Sequence, residues 1–138
     1  MGEALITRRG GGVKCYEGTV TFDSYFDVNY DNVLNIDVGF KPVFLYMENK
    51  DPNITDNAVA TRFSVSFTPG WSAKNDSSSM PYGSWWWTNY NNTINGVNPN
   101  NYISSSFLPT ETGIVSKFGG NYTYAPNFKG TYTVWAYG

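Results

Sequence analysis

Histidine is absent from this chain, glutamine is absent, and cysteine occurs once, as Cys15. Without imidazole neither a Ser-His-Asp triad nor a Cys-His pair can be assembled, and one thiol with no imidazole excludes a zinc centre. A lone cysteine also rules out an intramolecular disulfide, so the fold does not depend on covalent staples and is expected to form in a reducing cytoplasm. Leucine is scarce, with four residues in 138, and helix-forming material is thin. Only nine Lys and Arg stand against eleven Asp and Glu, a net charge of -2, so the clustered basic surface that nucleic acid or an anionic membrane requires is missing. No segment approaches the roughly 20 apolar residues of a membrane span, and the first residues hold no apolar run of signal-peptide length. No nucleic acid, membrane insertion, metal or cofactor is expected.

What is abundant is Val, Thr, Tyr, Phe, Trp and Asn, which indicates an all-β chain with many turns. Alternating runs at Glu17 to Phe22, Asn32 to Val38, Val43 to Glu48, Ala60 to Phe67, Ser84 to Tyr90, Gly113 to Phe118 and Gly130 to Tyr137 are separated by turn chemistry such as Gly39-Phe40-Lys41-Pro42 and Asp51-Pro52-Asn53. Seven or eight short strands at this spacing predict an antiparallel β-sandwich, with jelly-roll and immunoglobulin-like orders both open. In Arg62 to Phe67 the apolar Phe63, Val65 and Phe67 share one face. In Thr131 to Tyr137, Tyr132, Val134 and Ala136 oppose Thr131, Thr133, Trp135 and Tyr137, so both faces of that strand are suited to cover and it is expected to be central or to lie at a subunit contact. Gly39 and Pro42 end one strand and start the next, with Phe40 anchoring the corner.

Two segments stand apart from this framework. Residues 1–16 are Gly-rich, lack periodicity, and read as an extended arm ahead of a domain at 17–138. Leu5, Ile6, Arg8 and Arg9 are its candidate contacts in assembly. The tract from Trp71 to Tyr102 concentrates rings, Asn and Ser, a composition that serves recognition by combining rigid contact area with adaptable hydrogen bonds. Trp71, Tyr82, Trp85, Trp87, Tyr90 and Tyr102 are its candidate ligand-binding residues, with a cell-surface glycan as the expected ligand. Packing within the domain or between protomers is the more usual fate of such rings. If Ser84 to Thr88 is extended, Trp85 and Trp87 share a face and Trp86 takes the other, so at least one face belongs to a core.

The run Asp27-Val28-Asn29-Tyr30-Asp31 imitates the opening of a calcium loop, yet Asn32 stands where Gly is needed and Val38 where a bidentate Glu belongs. A solvated turn accounts for it. Glycan hydrolysis by two carboxylates is the one enzymatic chemistry left. Its acids would come from Asp23, Asp27, Asp31, Asp37, Glu48, Asp51, Asp56, Asp76 or Glu111, and most of these lie in predicted turns.

Ala4-Leu5-Ile6-Thr7-Arg8-Arg9-Gly10-Gly11, then Val38-Gly39-Phe40-Lys41-Pro42-Val43-Phe44-Leu45-Tyr46 and a carboxyl-terminal strand ending in aromatics, resemble small virion proteins of tailed bacteriophages and related tail-like particles. The resemblance implies an amino-terminal assembly arm on a compact β domain of the tail-tip, fibre or head-decoration kind. It further implies a homo-oligomer, commonly a trimer, contacts with other virion proteins, location in the virion after synthesis in the host cytoplasm, and no enzymatic activity. A dedicated receptor- or carbohydrate-binding module using the Trp71 to Tyr102 loops is the alternative, and a glycan-cleaving hydrolase is a further one.

Overall fold

A computed structural model describes residues 5–9, 13–27, 33–67, 83–90, 93–98, 106–117 and 126–138. These residues form ten strands and no helix: β1 (Leu5–Arg9), β2 (Val13–Asp27), β3 (Asn35–Asp37), β4 (Phe44–Asn49), β5 (Arg62–Phe67), β6 (Gly83–Thr88), β7 (Thr93–Asn98), β8 (Ser106–Pro109), β9 (Gly113–Lys117) and β10 (Asn127–Tyr137). The all-β expectation holds. Seven strands make one sheet in the order β1-β2-β10-β4-β5-β6-β7, and three make another in the order β3-β9-β8, with every strand pair antiparallel. Among the described residues no helix is long and apolar enough to cross a membrane.

The layering is sandwich-like because the small sheet shares its core with one face of the large one. Phe63 on β5 meets Phe107 on β8 at 4.8 Å between ring centroids and Phe128 on β10 edge-on at 5.7 Å. Alternation explains which side chains take part: Phe63, Val65 and Phe67 are buried on β5, and Tyr132, Val134 and Ala136 on β10. Leu34, Ile36 and Ile114 close the core from the small sheet.

β10 lies between β2 and β4, so of the two positions its two-sided pattern allowed, the central one is found. The corner Gly39-Phe40-Lys41-Pro42 carries the chain from the small sheet to the large one. Gly39 has φ of 83°, which glycine adopts without steric cost, and Phe40 is buried at the bend. The Gly39 amide donates to Asp37 Oδ1 and to the Thr112 carbonyl, tying the corner to the β8–β9 turn.

The boundary expected between residues 16 and 17 falls inside β2. Leu5–Arg9 pairs with Val13–Glu17 in an antiparallel hairpin, so the expected arm enters the structure as an edge strand of the large sheet. Composition hid this because Leu5-Ile6 and Arg8-Arg9 do not alternate, and backbone pairing needs no side-chain pattern at an edge. β7 and β8 were also not expected. Thr93–Asn98, with Gly and two Asn, shows no apolar alternation, yet it pairs in full register with β6.

Candidate functional site

The face of the large sheet turned away from the core carries a row of rings. Strand register sets Trp135 of β10 opposite Tyr46 of β4, Tyr46 opposite Ser64 of β5, and Ser64 opposite Trp86 of β6. Tyr46 stacks on Trp135 at 5.5 Å between centroids with 30° between planes, and meets Trp86 at 6.2 Å. The latter two strands are not neighbours. Their rings touch because the residue between them is a serine, and Ser64 is accordingly covered, 3% exposed, in a strand whose sequence placed it on the polar side. One step along the strands, Phe44 and Tyr137 form a second stacked pair at 6.3 Å, both exposed. One step the other way, the register brings Thr133, Glu48, Arg62 and Thr88 into a polar row.

That polar row leads into an open cleft of about 740 Å³, within the ~300–1,000 Å³ usual for small-molecule sites. Trp135 and Thr133 line one side, Glu48, Asn49, Thr61, Arg62 and Thr88 the strand ends, Asn89 and Tyr90 another side, and Lys50, Asp51, Pro52 and Ile54 the loop that follows β4. The loop is held by its own side chains. Asn49 Oδ1 accepts from the Asp51 amide, Asp51 Oδ1 from the Asn53 amide and Asp56 Oδ1 from the Ala58 amide, while Asn89 Nδ2 donates to the Asn57 carbonyl. These are the local side-chain turns for which Asn and Asp are favoured. Asn49 also anchors the floor, donating from Nδ2 to the Lys129 carbonyl beside Gly130, whose φ of 93° marks the irregularity in the β2–β10 ladder.

Electrostatically the cleft is balanced, with Glu48 and Asp51 set against Lys50 and Arg62. The Tyr46 hydroxyl donates to Glu48 Oε2 at 2.7 Å and so orients the carboxylate. Burial first, then the Glu48 hydrogen bond and charge, push the Tyr46 hydroxyl from its ordinary 10.0 up to about 12, with Arg62 opposing. Tyr132, pushed up by burial, and Tyr16, by burial and then the Asp37 charge, move in the same direction. Protonated tyrosine is neutral, so a raised value means the folded chain holds these protons more tightly than the unfolded one. The stability involved is complete below the ordinary tyrosine value and is lost as pH rises through the folded values, about 12 for Tyr46. Denaturant unfolding followed across pH 9–12 is expected to show a fall that begins near 10, and Tyr46→Phe is expected to make that fall shallower. Equal slopes in the two proteins would contradict it.

Of the residues singled out in the sequence, Tyr90 lines the cleft and is 59% exposed. Trp87 is corrected: it is 4% exposed in the shared core and is not available to a ligand. Trp85 is placed by its backbone in β6, opposite Val65. Trp71, Tyr82 and Tyr102 lie outside the described residues, as does most of the calcium-like run from Asp27 to Asp31. Among the described residues no group of three or more His, Cys, Asp or Glu is placed to hold a metal. Leu5, Ile6, Arg8 and Arg9 are in β1, and Cys15 is a half-buried free thiol on β2 opposite Tyr137. Tyr46, Trp86 and Trp135 were missed as site residues. The available signal was the alternation that set Trp135 and Tyr137 against Val134 and Ala136, combined with the same parity at Tyr46 and Trp86.

The arrangement offers ring faces, hydroxyls, amides and two charges of each sign on a pre-ordered surface, which is the chemistry of binding. No family model, no curated protein and no solved structure matches this chain.

Proposed function

We propose that this chain is a non-enzymatic virion structural protein that assembles through its amino-terminal segment and displays the outer face of its large sheet to the surroundings. The observation that supports assembly is β1, which ends the sheet order and leaves its outer ladder without a partner among the described residues. An exposed strand edge is a template for pairing with another chain, and a second copy is the partner that a repeating particle supplies. The test removes residues 1–9 and compares molar mass by light scattering, with circular dichroism to verify the sheet. The full chain is expected to be an oligomer, a trimer on the resemblance to tail and decoration proteins, and the truncated chain a monomer. A full chain that stays monomeric at high micromolar concentration, or an oligomer indifferent to the truncation, would refute the assembly role. Antibody labelling of purified particles tests the virion location, which unlabelled particles would overturn.

A second reading, recognition of a surface glycan, is favoured by a specific observation, the ring row that runs into the polar cleft. The two readings coexist readily, since a particle's outermost component both assembles and meets the host.

A further inference from the structure

This inference rests on the recognition reading and makes it specific. We infer that the cleft between Trp135, Glu48, Arg62 and the loop after β4 is a binding site for a neutral saccharide, with Trp135 stacking on one pyranose face and Glu48 and Arg62 each taking one of two adjacent hydroxyls.

The argument starts from the lining. Pyranoses present an apolar C–H face on one side and hydroxyls around the rim, each hydroxyl both donor and acceptor. Trp135 supplies a flat partner for the face, and its own orientation is fixed by stacking on Tyr46. Glu48 is an acceptor and Arg62 a donor at partnered positions of adjacent strands, so hydroxyls on neighbouring carbons can be bonded by one of each. Among the described residues Arg62 and Lys50 stand in no ion pair, so their donors are open to a ligand. Thr61, Thr88, Thr133 and Asn89 complete a rim of uncharged polar groups.

Other ligand classes fit less well. An anionic sugar or a nucleotide would gain from Arg62 and Lys50, but Glu48 and Asp51 share the same cleft and repel its negative charge. An apolar peptide would leave the polar row beneath it without partners. The neutral polyol meets neither penalty.

The site is also ordered in advance. Loop residues Asp51, Asn53 and Ala58 are held by Asx-type hydrogen bonds, Asn89 is tied to Asn57, and Glu48 is oriented by Tyr46. Side chains and backbone that are already fixed lose little freedom on binding.

The experiment uses the full chain with neutral malto-, cello-, manno- and galacto-oligosaccharides and with an oligogalacturonate as the acidic probe, read by saturation-transfer NMR and calorimetry. Saturable binding of at least one neutral probe is expected. Glu48→Gln, which keeps the shape and the Tyr46 contact, and Trp135→Ala are each expected to weaken it by about tenfold or more. Should Trp135→Ala not fold, Tyr90→Ala at the exposed rim takes its place beside Glu48→Gln. Binding of the acidic probe alone, or neutral binding that none of these substitutions alters, overturns this cleft assignment while the broader recognition reading stands. Failure of every probe to bind overturns both.

Discussion

Phe63→Ala is expected to lower the unfolding free energy by about 3–5 kcal/mol, the range for deleting a buried phenyl ring and leaving a cavity. Phe63 is fully buried near the start of β5, where it touches Phe107 of the small sheet and Phe128 of β10, so one deletion loosens both layers. The hole cannot be closed cheaply. Its in-register neighbours Met47 and Trp87 are fixed on either side by strand pairing, and pulling Phe107 inward would drag β8 off β9. Against a total of about 5–15 kcal/mol for a domain, such a loss removes a large share of stability. Urea unfolding followed by tryptophan fluorescence should show the midpoint falling by about 1–3 M with the slope unchanged. Tyr90→Ala, at an exposed position, is the control and should change stability by no more than about 0.5 kcal/mol. A Phe63→Ala protein within that margin would mean the two sheets do not share a core.

Gly113→Ala is the second large effect, and it acts through backbone rather than through a cavity. A methyl group at Gly113 would overlap the carbonyl oxygen of Ile36 and crowd the backbone of Asp37, both on β3. Neither is the free end of a flexible side chain, so the clash can be relieved only by separating β3 from β9. That separation also strains neighbouring bonds, because Gly113 accepts from the Thr110 amide and the adjacent Thr112 carbonyl accepts from Val38 and Gly39. The loss should exceed the ~1–3 kcal/mol typical of overpacking among movable side chains. Hydrogen exchange localises it: amides of β3 and β9 should lose protection first, while the β2–β10 ladder exchanges only with global unfolding. Unchanged protection around Ile36 and Ile114 would contradict the close approach.

The two positions differ in how far the sequence announces them. Phe63 is legible, since Arg62 to Phe67 alternates without interruption and a strand with one apolar face must bury it. Gly113 is not, because a glycine required for a close approach looks the same as one in an ordinary turn until the neighbouring strand is known. The same contrast separates the fold from the site. Local alternation at β4, β5, β6 and β10 gave the strands and even split Trp86 from Trp87, whereas the cleft joins Glu48, Arg62, Tyr90 and Trp135, which only strand order brings together. Local density of rings drew attention to Trp71 through Tyr102, but the row on the outer face is built from single rings contributed by three strands. Ser64 shows the limit most clearly: parity put it among polar residues, and it is covered because large rings on the flanking strands close over it.

The central place of β10 has a bearing on how the chain reaches this structure. Residues of β2 and β4 pair with β10 residues about 80 to 120 positions later, and neither strand can complete its ladder until β10 is inserted between them. Pairing at such separation closes large loops before it gains contacts, which slows folding relative to proteins built from local hairpins. Until β10 arrives, the inner edges of β2 and of the β4–β7 meander are both open, and a strand from another copy could take the vacant position. The strand that completes the sheet is therefore also the one whose delay exposes the chain to domain exchange between copies.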